Sequence, residues 1–223
     1  MQVRHDARIV TTDHQPIGKV DRVVIDPRTR LPSHVVVCRG GLFAADRVLP
    51  MDWVSEAQES ELILRVDPQE LDALPLYEEA NYISGDQPEG VRSRDRASYA
   101  APCYFYPPIT EAQSMAEYLY PDAYGVATGP AVVGYGGLDA PTSRPGARAL
   151  SSDGHYIGEV AGIVTSPGTE RVTHFVITRG LLVKEHKVIP RHWISQMGDG
   201  ELWIAVSDRM IGRLPDVEPG QLS

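Results

Sequence analysis

The sequence predicts a mainly β protein, two small β-barrels in tandem joined by a long Tyr/Pro/Gly-rich connecting segment. Three observations carry that prediction. The chain repeats itself without a gap, each copy holds short β-branched runs closed by Pro or Gly, and the stretch between the copies differs in composition. Shifted by 140 positions, residues 7–78 align with 147–218, and 24 of the 72 pairs are identical. Self-similarity at a fixed offset over a module of this size marks a tandem duplication. Every turn length is kept, so the fold is expected to be kept with it. The chain therefore divides into a first module at 1–80, a connecting segment at 81–146 and a second module at 147–223.

The elements follow in order. Gly18 to Asp26 is rich in Val and Ile and stops at Pro27, and its twin runs from Gly158 to Ser166 before Pro167-Gly168. Such runs bounded by turn residues read as strands. The next pair, His34–Arg39 and His174–Arg179, ends at Gly40 and Gly180. Arg47–Pro50 and Lys187–Pro190 read as strands closed by proline, which cannot donate to a central ladder. Glu61–Val66 alternates, placing Leu62, Leu64 and Val66 on one face, as Leu202, Ile204 and Val206 do in the second copy. Asp67, with Pro68 after it, is placed to cap one short helical turn. Gly18 and Gly158 fall inside strand patterns, which points to a bulge or a close backbone approach. Short strands at this spacing suit a small barrel.

The ordered set Ile17-Gly18-Lys19-Val20, Val23 to Pro27, Val48-Leu49-Pro50, Trp53 and Leu74-Pro75 resembles the PRC-barrel family. The second copy matches through Ile157-Gly158-Glu159-Val160, Val188-Ile189-Pro190, Trp193 and Leu214-Pro215, and departs at Thr165-Ser166. The resemblance implies the small β-barrel shared with the cytoplasmic part of the photosynthetic reaction-centre H subunit and with the C-terminal domain of a bacterial ribosome-maturation factor. It also implies docking on larger assemblies. Neither of those particular roles transfers, because the first would bring a membrane helix and the second a different N-terminal barrel.

Composition excludes several classes. No apolar run reaches the eighteen or so residues of a membrane span. The start, Met-Gln-Val-Arg-His-Asp, has no apolar signal core, so a cytoplasmic location is expected. A net charge of −9 argues against nucleic acid, whose phosphates need clustered Lys and Arg. Residues 1–80 carry 14 acidic against 9 basic groups, whereas 147–223 carry 9 against 8. Two cysteines at 38 and 103 allow neither a disulfide framework nor a CxxC-type zinc site.

Candidate chemistry is sparse. His186 and His192 are the histidines closest to a metal pair, yet the first copy has Asp46 and Asp52 at those positions. His34 and His174 are retained in both copies and read as packing or hydrogen-bonding residues. Cys38, after three valines, is expected to be buried and inert, and Cys103 accessible without a partner base. No Gly-x-Ser-x-Gly elbow or phosphate loop occurs. These observations predict no enzyme and no cofactor. For interaction, the apolar hairpin tips Leu42-Phe43 and Leu181-Leu182-Val183 are singled out, with Tyr104 and Tyr106 of the connecting segment. Seven of the ten tyrosines lie between Tyr99 and Tyr135, in a stretch without periodicity that reads as a tether, as a strap over the barrels or as a partner site. The function expected is a non-enzymatic protein-interaction or scaffold module with a protein partner, its barrels packing on each other or between chains as a homodimer. The rival is a small-ligand or metal sensor with its site between the two barrels.

Overall fold

A computed structural model of the chain describes residues 3–39, 45–66, 70–86, 98–109, 113–121, 146–165, 172–180, 184–198 and 200–218. The protein is mainly β, with two sheets. It divides into two compact units, Met1–Phe105 and Tyr106–Ser223.

The first unit holds β1 (Arg8–Thr11), β2 (Pro16–Ile25), β3 (Pro32–Cys38), β4 (Arg47–Pro50), β5 (Val54–Ala57), β6 (Glu61–Leu64), β7 (Tyr82–Ser84) and β8 (Ala101–Phe105). The main order is β4-β3-β2-β1-β6-β5. β2–β3–β4 form an antiparallel meander, whereas β1 lies parallel to β6, Arg8 against Glu61 through Thr11 against Leu64. β2 is long enough to serve two neighbours on one edge. Its start pairs with β1 and its second half with β8, Arg22 to Val24 against Ala101 to Cys103 in parallel.

The second unit repeats this plan with β9 (Arg148–Leu150), β10 (Tyr156–Thr165), β11 (Val172–Arg179), β12 (Glu185–Pro190), β13 (Ile194–Gly198) and β14 (Glu201–Ile204). Their order, β12-β11-β10-β9-β14-β13, is that of β4 to β5 position for position. Bulges recur too, at Val20/Arg22 and Val160/Gly162, and at Val24/Ile25 and Val164/Thr165. The strands the sequence indicated are present. The short parallel strands β1 and β9, the edge strands β5 and β13, and β7 and β8 were not foreseen.

Twin side chains satisfy twin backbone groups. Ser33 and Thr173 each donate to the carbonyl beside the second bulge, Val24 O at 3.2 Å and Val164 O at 3.1 Å. Ser55 and Ser195 donate to Ile63 O and Trp203 O. Arg47 Nη1 and the buried Lys187 Nζ both donate to the carbonyl of the retained Leu-Pro pair, Leu74 O and Leu214 O. Lys187 also meets Asp216 at 2.8 Å, which offsets the cost of burying its charge. Arg8–Glu61 recurs as Arg148–Glu201. Identical or like side chains at twin positions thus complete both scaffolds.

Both strand glycines sit where the backbone of the next strand comes close. A Cβ on Gly18 would lie 2.6 Å from Cys38 O, and one on Gly158 would lie 2.1 Å from Thr178 O. Gly158→Val and Gly18→Val are each expected to destabilise their unit by about 1–3 kcal/mol through overpacking. An unchanged denaturation midpoint in both variants would refute the close approach. The expected cap at Asp67 and Pro68 lies outside the described residues. Its twin Ser207 does cap the helix Asp208–Ile211, its hydroxyl accepting from Met210 N. Among the described residues no helix is long and apolar enough to cross a membrane.

Candidate functional site

The scaffold is doubled, so the features that set the copies apart are where a site is sought. In the first unit the difference is β7 and β8, supplied by the connecting segment. Tyr82 packs edge-on against Phe105, centroids 5.4 Å apart, and lies 4.6 Å from Tyr77. The Arg22 guanidinium stands 5.9 Å over the Tyr77 ring and bonds Asp21 and Glu79. Cys103 is buried at 1 % exposure, its thiol 3.6 Å from Val23 O, and burial pushes it up to about 12. A thiol held that far from ionisation is not a nucleophile at neutral pH. Here the sequence reading is reversed: Cys38 is the exposed cysteine and Cys103 the buried one. Cys38 sits at the last position of β3, past the buried run His34–Val37, whereas Cys103 is central in a strand laid against β2.

In the second unit the difference is a strap, residues 106–109 and the helix Gln113–Leu119 with Tyr120. Tyr106, 8 % exposed, donates its hydroxyl to Val188 O at 3.1 Å and leans on Trp193, centroids 6.0 Å apart. Burial raises its phenol to about 12. The Pro107 carbonyl meets His174 Nε2 at 3.2 Å. A carbonyl only accepts, so His174 carries its proton on Nε2. Burial holds this ring down at about 4, with the Pro107 carbonyl opposing weakly. Tyr120 stacks on His192 at 4.1 Å and 17°, and His192 meets Trp193 edge-on. His192 and Trp193 belong to a one-turn 3-10 helix, Arg191–Trp193, that follows the closing proline of β12.

The twin turn, Met51–Trp53, follows the closing proline of β4 and buries none of its residues. Pro50, Met51, Trp53 and Val54 are half-buried and Asp52 is exposed, where Pro190, His192, Trp193 and Ile194 are all buried. The two tryptophans therefore occupy equivalent positions in the chain with different surroundings. The strap accounts for the contrast: it brings Tyr106 and Tyr120 onto the second copy's turn.

Tyr106→Phe is expected to cost about 1 kcal/mol, the net worth of one hydrogen bond. Chemical denaturation of the second unit measures it, and a change below about 0.3 kcal/mol would show that the hydroxyl contributes nothing.

Tyr104 lies on β8 opposite Ile83, and its burial raises its phenol. His186 Nδ1 lies 3.1 Å from Thr178 Oγ1. From His186 to Pro190 runs about 13 Å of extended strand, and His192 lies in the turn beyond it. Among the described residues no group of three or more His, Cys, Asp or Glu is placed to hold a metal. Leu42, Phe43, Leu181, Leu182 and Val183 lie outside the described residues. The sequence singled out Tyr106 and offered a strap as one reading of its segment, but the strap's contacts were not legible because Tyr106, Pro107 and Tyr120 have no twins. The exchange of Asp52 for His192 beside a retained Trp was the one available signal. Comparison with models of known protein families and with curated proteins returns no match to this chain.

Proposed function

We propose that the chain is a non-enzymatic, cytoplasmic protein-interaction or scaffold module built from two PRC-barrel-like domains, each sheet closing into a small barrel. Its docking strip is Pro50-Met51-Asp52-Trp53-Val54 of the first domain. One observation supports this most. The second domain's equivalent strip is met by aromatic side chains of the same chain, Tyr106 against Trp193 and Tyr120 stacked on His192, and the Tyr106-Pro107 pair is anchored beside it on Val188 O and His174. The first domain keeps the same scaffold, leaves Trp53 half-exposed and puts Asp52 where His192 stacks. Tryptophan is enriched among the residues that carry binding energy at protein interfaces. The partner is then a protein with an aromatic–proline segment and a nearby cation for Asp52.

Affinity capture with the full chain as bait, from the native cell, tests the reading. A saturable protein partner, reproduced with the purified components, is the expected result. The reading fails if no protein binds saturably while a thermal-shift panel or calorimetry with divalent metals finds a small ligand.

A further inference from the structure

Among the described residues, the second half of β10, Ala161 to Val164, is an edge. In the first unit the twin stretch of β2 is closed by β8, which lies parallel to it, Arg22 against Ala101, Val23 against Pro102 and Val24 against Cys103. Val23 and Val24 are buried beneath it, at 8 % and 0 %. In the second unit β10 pairs with β11 along one side and with β9 only as far as Glu159 on the other. Among the described residues no strand takes the place of β8, and Gly162, Ile163 and Val164 are only half-buried. A Cβ built on Gly162 meets nothing within 4 Å.

Edges of this kind are normally blunted by lysine, proline or an inward charge. Ala161-Gly162-Ile163-Val164 carries none of these. The bulge at Val160/Gly162 bends the strand but is equally present at Val20/Arg22, where a strand is nonetheless seated. It therefore does not prevent pairing.

We propose that this edge binds an extended partner strand running parallel to β10, by β-augmentation. The occupant is defined by the chemistry of β8, which fits the twin edge: a segment with no charge, a proline at its second position and apolar side chains after it. Main-chain hydrogen bonds would give affinity, and the alternation of side chains would give register. The site is separate from the Trp53 strip and stands whether or not that strip binds.

The probe is a synthetic peptide copying residues 100–106, with serine for the cysteine, titrated into ¹⁵N-labelled full chain. The expected result is chemical-shift change and slowed exchange at Gly162, Ile163 and Val164. N-methylation of the peptide at alternate residues separates its two edges: one methylation pattern should weaken binding about 10-fold or more, and the other should not, because a seated strand uses only one edge. Ile163→Lys should weaken binding similarly without changing the far-ultraviolet circular dichroism. Shifts confined to Arg22–Val24, which would mean displacement of β8, or shifts at Trp53, would overturn the proposal. So would indifference to the methylation pattern, or no binding at millimolar peptide.

Discussion

Trp193→Ala is expected to remove about 3–5 kcal/mol from the stability of the second unit, the range for deleting a fully buried tryptophan. Trp53→Ala, at the same position of the first copy, should cost less than about 2 kcal/mol, since a side chain already partly in water loses less on truncation. The difference arises outside the repeat. The strap brings Tyr106 and Tyr120 onto the second copy's turn, and removing the indole there leaves a cavity bordered by Tyr106 and His192. Denaturant titration of the two variants, read by circular dichroism, measures both changes. Equal losses would mean that the two tryptophans are equally covered.

The second large effect is a loss of stability in mild acid. His34 and His174 are both buried, and burial lowers each from 6.5 to about 4. In the unfolded chain both take up a proton near pH 6.5, while in the folded protein they stay neutral until about pH 4. The unfolded state therefore binds more protons across that window, and stability falls as pH falls through it. Above pH 6.5 the contribution is fully present. Each histidine is expected to account for a loss on the order of 3 kcal/mol between pH 6.5 and 4, since each tenfold difference in proton affinity between the folded and unfolded chain is worth about 1.4 kcal/mol. His174→Gln, which keeps a donor for the Pro107 carbonyl, should remove about half of the slope. Stability that is flat over this window would contradict the burial of both rings.

Much of the fold was legible because the chain states it twice. The Val-rich runs of β2 and β3, the proline closures of β4 and β12, and the alternation at Leu62-Leu64 each correspond to a strand. The parallel pairing of β1 with β6 was not legible. Arg8–Thr11 is four residues long and joins a strand some fifty positions away, a contact that no local pattern encodes. β8 was missed for a related reason: Ala-Pro-Cys-Tyr-Phe has proline inside it, which argues against a strand until its neighbour is known. The cysteines were misplaced because hydrophobic neighbours report on the run and not on where it ends.

The candidate site was legible only in outline. Tyr106 stood out for its tyrosine-rich surroundings, and Trp53 and Trp193 for their retention. That one tryptophan is covered and the other partly open depends on single-copy residues, Tyr106, Pro107 and Tyr120, whose partners lie 67 to 82 positions away. The duplication explains this division of labour in physical terms. Groups that satisfy the same backbone positions in both copies are kept by like side chains, a hydroxyl at the bulges in Ser33 and Thr173 and a cation at the Leu-Pro carbonyls in Arg47 and Lys187. Surfaces that the scaffold does not constrain have diverged, and the acidic excess of the first copy is one trace of it.

The most direct test places a photo-reactive amino acid at position 52, which is exposed, and a second at the exposed position 13 as a control. Both full-length variants are irradiated in the native cell. The account predicts that position 52 cross-links to a protein other than this chain, through a segment bearing an aromatic–proline pair and a basic residue, and that position 13 does not. Adducts from position 52 confined to this chain's own residues, or yields equal to those at position 13, would contradict it.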